Sequence, residues 1–192
     1  MRVVAKFGGT SLGSGDRIDR AADSIAKAVE AGHEIAVVAS AMGSTTDELL
    51  DEISFETEPA DRAEIVSMGE RTSVRMLKAA LAARGVDAMF LEPGSDLWPV
   101  LTDADGEVDV EASRERALEV ADQMDGVVPV ITGFLAEAHD GSVTTLGRGG
   151  SDTTAVMLGK YMNADEVVIV TDVEGVMTGD PRVVEGARNV GE

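Results

Sequence analysis

Cysteine is absent from this 192-residue chain, which excludes disulfides, thiolate nucleophiles and Cys-ligated metals. Histidine occurs only at His33 and His139; both fall in loop-like segments without metal-ligand spacing and read as solvated bystanders. No apolar run approaches the roughly 20 residues needed to cross a bilayer. The start, MRVVAKFGGTS, meets a glycine pair too early to be a signal peptide. A soluble, cytosolic protein without a membrane partner is therefore expected. Positive charge is scarce as well: 16 Lys and Arg stand against 36 Asp and Glu, a formal net charge of -20. That balance disfavours nucleic acid as a partner. Lysine is the rarer cation, at Lys6, Lys27, Lys78 and Lys160, and the acidity runs along the whole chain. A lysine-poor, carboxylate-rich surface suits a protein kept soluble at high salt, where self-repulsion is screened, so a halophilic source is expected. The P-loop pattern GxxxxGK[ST] and the dinucleotide fingerprint GxGxxG are also missing, which removes the P-loop and dehydrogenase classes.

What is present is alternation. Short β-branched runs at Arg2 to Phe7, Glu34 to Ser40, Val86 to Leu91, Val127 to Thr132 and Glu166 to Thr171 read as strands. Helical patterns lie between them, near Asp16 to Ala31, Pro59 to Arg84, Glu111 to Met124 and Ser151 to Met162. Gly32 and Gly85 stand where the first two helices should stop. Alternating strands and helices imply βαβ units on a mostly parallel sheet with helices on both faces. Ala136 to Val143, with its Asp140-Gly141 pair, reads as a hairpin. One domain is the default for this length.

Ligands of open parallel sheets bind beyond the strands' carboxyl ends. The segments there are GGTSLGSG (8–15), SAMGSTTDE (40–48), Gly133-Phe134 and DVEGVMTGDPR (172–182); most are rich in glycine and hydroxyl groups and should converge on one edge. In KFGGTS, a strand runs into a glycine pair, and Lys6 is placed to reach a phosphoryl group lying over Gly8 and Gly9. In LGRGGSDTTA (146–155), Ser151 and Asp152 are good N-cap types, so an ordinary capped helix accounts for them. Capping does not account for Arg148, which is suited to grip a carboxylate or phosphate in bidentate fashion. Glu70 falls on a helix stripe with Val66, Ser73, Val74 and Leu77, whereas Glu64, Ser67, Arg71, Arg75 and Lys78 form the wet face. A carboxylate on a buried stripe needs a partner, either an internal arginine or amide or the ammonium of a ligand.

Together KFGGTS (6–11), SAMGSTTDE (40–48), SMGERTS (67–73), GRGGSDTTA (147–155) and TDVEGVMTGDPR (171–182) resemble the aspartokinases of the amino acid kinase family. The motifs follow the family's order and span nearly the whole chain. The resemblance implies a three-layer αβα sandwich around a mostly parallel sheet. It also implies transfer of the γ-phosphoryl of Mg²⁺-ATP to the side-chain carboxylate of L-aspartate, the first step toward lysine, threonine and methionine. Carried over by motif, Lys6 neutralises charge on the transferring group and Asp152 organises that lysine. Gly8, Gly9, Ser40, Thr171, Asp172 and Arg182 attend the nucleotide. Thr45, Glu70, Phe134, Arg148 and Ser151 hold aspartate, with Glu70 on its ammonium and Arg148 on a carboxylate. Mg²⁺ is expected on the ATP phosphates and water, with no protein ligand except an outer-shell contact from Asp172. The expected partners are small molecules, with a homodimer left open.

Two departures stand out. Met177 occupies the place where many aspartokinases carry a tyrosine beside the nucleotide. The sequence also lacks the family's later lysine and ACT regulatory modules, so residues 1–192 read as a catalytic domain incomplete at its C-terminus, without ACT-mediated feedback. Other classes stay open: another amino acid kinase, acting on glutamate, carbamate or uridylate, or a fragment that binds nucleotide or aspartate without turnover.

Overall fold

The computed structural model describes residues 1–171 together with 185, 186 and 188. Five parallel strands form the central sheet in the order β3-β4-β2-β1-β7. They are β1 (Arg2–Phe7), β2 (Glu34–Ala39), β3 (Asp87–Leu91), β4 (Val127–Thr132) and β7 (Glu166–Val170). The helices are α1 (Gly9–Leu12), α2 (Gly15–Glu30), α3 (Thr45–Glu52), α4 (Pro59–Ala82), α5 (Val110–Asp122) and α6 (Gly150–Tyr161). A small antiparallel hairpin, β5 (Leu135–Glu137) with β6 (Val143–Thr145), stands outside the sheet. It is the hairpin expected from Asp140-Gly141, and Asp140 Oδ1 braces its turn by accepting from the Ser142 amide at 3.0 Å.

Side-chain alternation along β1 sorts the layers. Val3, Ala5 and Phe7 pack with Ile18, Ala22 and Ile25 of α2 and with Val74, Leu77 and Leu81 of α4. Val4, pointing the other way, joins Ala117 and Val120 of α5 and Ala155 and Leu158 of α6. The result is the three-layer αβα sandwich, with nearly continuous apolar strands because both faces are covered. Leu77 and Leu81 are fully buried, so truncating either to alanine should cost about 2–5 kcal/mol. Among the described residues no helix is long and apolar enough to cross a membrane.

Two local readings need correction. The segment after β2 is not all loop, because α3 begins at Thr45; the S-x-x-D pattern of Ser44 to Asp47 is the helix-start signal that marks it. The supposed wet face of α4 is wet only in part. Ser67 is fully buried, and Arg71 and Arg75 both grip Glu92, just past β3, at 3.0 and 2.5 Å. The chain leaving β3 lies against that flank of α4 and pairs with it through Glu92, a contact distant in sequence that helix periodicity cannot reveal.

Candidate active site

Lys6 is the penultimate residue of β1 and shares the face of Val4, so it points toward α6. There Asp152, in the helix's first turn, meets it: Nζ and Oδ1 are 2.7 Å apart. The lysine side chain is 13% exposed and the aspartate 56%, so the ammonium is sheltered while its partner stays in contact with water. A Cβ added to Gly8 would sit 3.4 Å from Lys6 Nζ; the bare backbone keeps the space around the ammonium open. Gly9 serves another purpose. Its Cβ would lie 2.8 Å from Gly43 O and 3.0 Å from Ala41 O, so only glycine lets the β1 loop press against the β2 loop, where the Gly43 amide donates to Gly9 O at 3.0 Å.

Glu70 arrives from the opposite layer. It lies on α4 one turn before the core residue Val74 and two before Leu77, and only 3% of it is exposed. Its Oε1 accepts a long 3.3 Å bond from the Ala41 amide, just beyond β2, and Oε2 has no partner. Burial is the main influence on its proton affinity, pushing the carboxyl from 4.5 up to about 7 against the opposing pull of backbone amides and the Thr46 hydroxyl. No internal arginine pairs with it among the described residues. Close approach of α4 to this point depends on Gly69, whose Cβ would fall 2.8 Å from that of Ala41.

The start of α6 overturns the capping reading of Ser151 and Asp152. The N-cap is Gly149, held at φ 75, with no side-chain cap bond, and Ser151 and Asp152 are the second and third helical residues. The left-handed backbone there demands glycine, and this outweighs the usual preference for a capping side chain. Asp152 is thereby released for Lys6. Phe134 faces this turn with its own φ at 68, a conformation that is costly for a bulky residue and tends to occur at functional sites. It is held by the Phe134 amide donating to Thr154 Oγ1 at 3.2 Å and by the Leu146 amide donating to Phe134 O at 2.8 Å.

These elements enclose one cavity of about 720 Å³, within the range of small-molecule sites. Lys6, Ser40, Glu70, Phe134, Arg148, Ser151 and Asp152 all line it. Arg148 is exposed at the mouth and makes no ion pair among the described residues. Thr45 does not line the cavity; its hydroxyl donates to Met42 O at 2.7 Å, and the neighbouring Thr46 lines it instead. Thr171 lies just past β7, which stops at Val170 one residue short of the expected strand, and lines a separate depression with Ser11, Arg17 and Arg20. Asp172, Met177 and Arg182 lie outside the described residues. Among the lining residues not singled out from the sequence are Arg62, Thr46 and Asp47. Their signal was the register of two helix starts on α3 and α4.

An ammonium at one end, an unpaired buried carboxylate on the floor and a guanidinium at the mouth form a site for a zwitterion with a further negative group. No group of three or more His, Cys, Asp or Glu residues among the described residues could hold a metal ion.

The sequence pattern described as the amino acid kinase family matches residues 1–192. The chain is 42% identical over 197 residues to an aspartate kinase of Pseudomonas putida, covering 98% of this chain and 46% of that protein. It is 40% identical over 193 residues to an aspartokinase of Thermus thermophilus, covering 98% and 47%. The chain thus spans about half the length of the curated relatives it matches. Among solved structures it is similar to Escherichia coli aspartokinase III in complex with aspartate and ADP, with a TM-score of 0.84 and 29% identity over 99% of this chain and 53% of that one. It is also similar to the aspartate kinase of Synechocystis, with a TM-score of 0.78 and 36% identity over 97% and 31%.

Proposed function

The chain belongs to the amino acid kinase family, and on that premise we propose that it is the part of an aspartate kinase that binds L-aspartate and directs the γ-phosphoryl group of ATP onto it. The observation that carries this reading is the convergence of Lys6, Glu70 and Arg148, from three separate elements, on one cavity.

The substrate ammonium pairs with Glu70 Oε2, the buried oxygen without a partner. Arg148 and the α6 N-terminus, with Ser151, take the α-carboxylate. The side-chain carboxylate then turns inward to Lys6. With an ordinary pKa of about 3.9 it is already ionised at neutral pH, so no general base is required. One of its oxygens forms the bond to the γ-phosphorus while the bond from that phosphorus to the β,γ-bridging oxygen breaks. The electron pair stays on that oxygen, leaving ADP and 4-phospho-L-aspartate. The residues' task is to hold two anions in contact and to offset the charge spreading over the transferred group. Lys6 does this from a position fixed by Asp152. Gly8 and Ser40 attend the nucleotide, with Asp172 and Arg182 beyond the described residues. Mg²⁺ would arrive on the ATP phosphates and supply further charge neutralisation there.

The same reading makes the protein a cytosolic enzyme of the first step toward lysine, threonine and methionine, working at high salt. The relatives' names, the bound aspartate and ADP of the Escherichia coli neighbour and the acidic composition support it. The test is ADP formation with L-aspartate, L-glutamate and uridylate compared side by side. Aspartate-dependent turnover is expected; turnover favouring glutamate or uridylate assigns another member of the family, and binding of aspartate without turnover leaves a binding fragment.

A further inference from the structure

Arg62 looks unremarkable in sequence, a surface arginine in the first turns of α4. Its spacing says more. Arg62, Val66 and Glu70 are four residues apart and form one row along the helix, and all three line the cavity. Eight residues correspond to about 12 Å of helix axis. One wall of the cavity therefore carries a carboxylate at its floor and a guanidinium at its mouth, with Ala63 and Val66 between them.

Acidic neighbours surround Arg62 on its own helix, at Glu58, Asp61 and Glu64. It nevertheless forms no side-chain ion pair among the described residues; its backbone amide donates to Glu58 O at 3.0 Å. Arg71 and Arg75, farther along α4, are both committed to Glu92. In a chain with 36 carboxylates and 16 Lys and Arg, an uncommitted guanidinium at a cavity mouth is available to a ligand. The hairpin supplies the facing wall. Ala63 and Val143 belong to one core cluster, and Thr144, Thr145 and Arg148 line the cavity from that side.

We propose that Arg62 is a second guanidinium for the substrate's α-carboxylate, closing on it from α4 while Arg148 holds it from the hairpin side. The inference rests on the aspartate reading. With the ammonium drawn to Glu70 and the side-chain carboxylate drawn to Lys6, the remaining charged group of the substrate is the α-carboxylate, and it is left facing the mouth. Two arginines there select amino acids whose α-carboxylate is free over those in which it is neutralised.

The test is calorimetric titration of the full chain with L-aspartate and with L-isoasparagine, in which the α-carboxylate is replaced by an amide. Arg62→Ala is expected to raise the Kd for aspartate about tenfold, to leave that for isoasparagine unchanged and to keep the melting temperature of the unmodified chain, with Arg62→Lys recovering part of the loss. If Arg62→Ala fails to fold, Arg62→Gln takes its place. Where isoasparagine binds neither protein, the loss on aspartate decides. An aspartate Kd within twofold of the unmodified chain, or equal weakening of both ligands, overturns the role of Arg62. An unmodified chain that does not bind aspartate overturns instead the reading beneath it.

Discussion

Replacing Glu70 with glutamine should make the ligand-free protein more stable, and only above a definite pH. Burial lifts the Glu70 carboxyl from 4.5 to about 7, so the folded chain retains a proton that the unfolded chain has already released. Below pH 4.5 the group is neutral in both states and costs nothing. Between 4.5 and about 7 the folded state binds more protons, and its stability falls as pH rises. Above that window the whole shift is felt, a penalty of about 3 kcal/mol. Glutamine carries no charge and escapes it. Relative to the unmodified chain, Glu70→Gln should therefore gain about 3 kcal/mol at pH 8.5 and nearly nothing at pH 4.5. For a chain of this size that is roughly 6–12 °C in melting temperature. Denaturant melts of both proteins at the two pH values, at constant salt, cancel the titration of every other group. An equal difference at both pH values would refute the claim that burial strains this carboxylate.

Lys6→Ala should lower phosphoryl transfer by about 100- to 1000-fold while the Kd for L-aspartate, read by calorimetry, moves little; lost binding with retained turnover would contradict its role. Gly150→Ala would set a methyl group 2.9 Å from the Phe134 ring and 3.0 Å from its Cα, and since the backbone cannot yield cheaply a loss of about 1–3 kcal/mol is expected in denaturant melts. With a net charge of -20, thermal stability should rise as KCl approaches molar concentration, and a melt indifferent to salt would remove the halophilic reading.

The parts of this fold that were legible in the sequence are those written in local patterns. Alternation of strands and helices gave the layers, and the position of Lys6 beside a glycine pair and of Glu70 on an apolar stripe marked two side chains of the cavity. Other features depended on contacts far apart in sequence. Ser67 and Arg71 looked solvated because nothing near them announces Glu92. Ser151 and Asp152 looked like caps because side-chain preference is visible in a sequence, whereas the positive φ of Gly149 is not. Thr45 came from the family resemblance alone, and it is its neighbour Thr46 that lines the cavity. Arg62 escaped notice because an arginine on an exposed helix turn is commonplace until the hairpin opposite it is known.

The structure of this chain with L-aspartate and a non-hydrolysable ATP analogue is the most direct test of a single cavity in which Lys6 presses two anions together. The substrate ammonium is expected within hydrogen-bonding distance of Glu70, with the aspartate side-chain carboxylate and the terminal phosphate both directed at Lys6. Aspartate and nucleotide lodged in separate depressions, or Glu70 left facing no ligand, would contradict it.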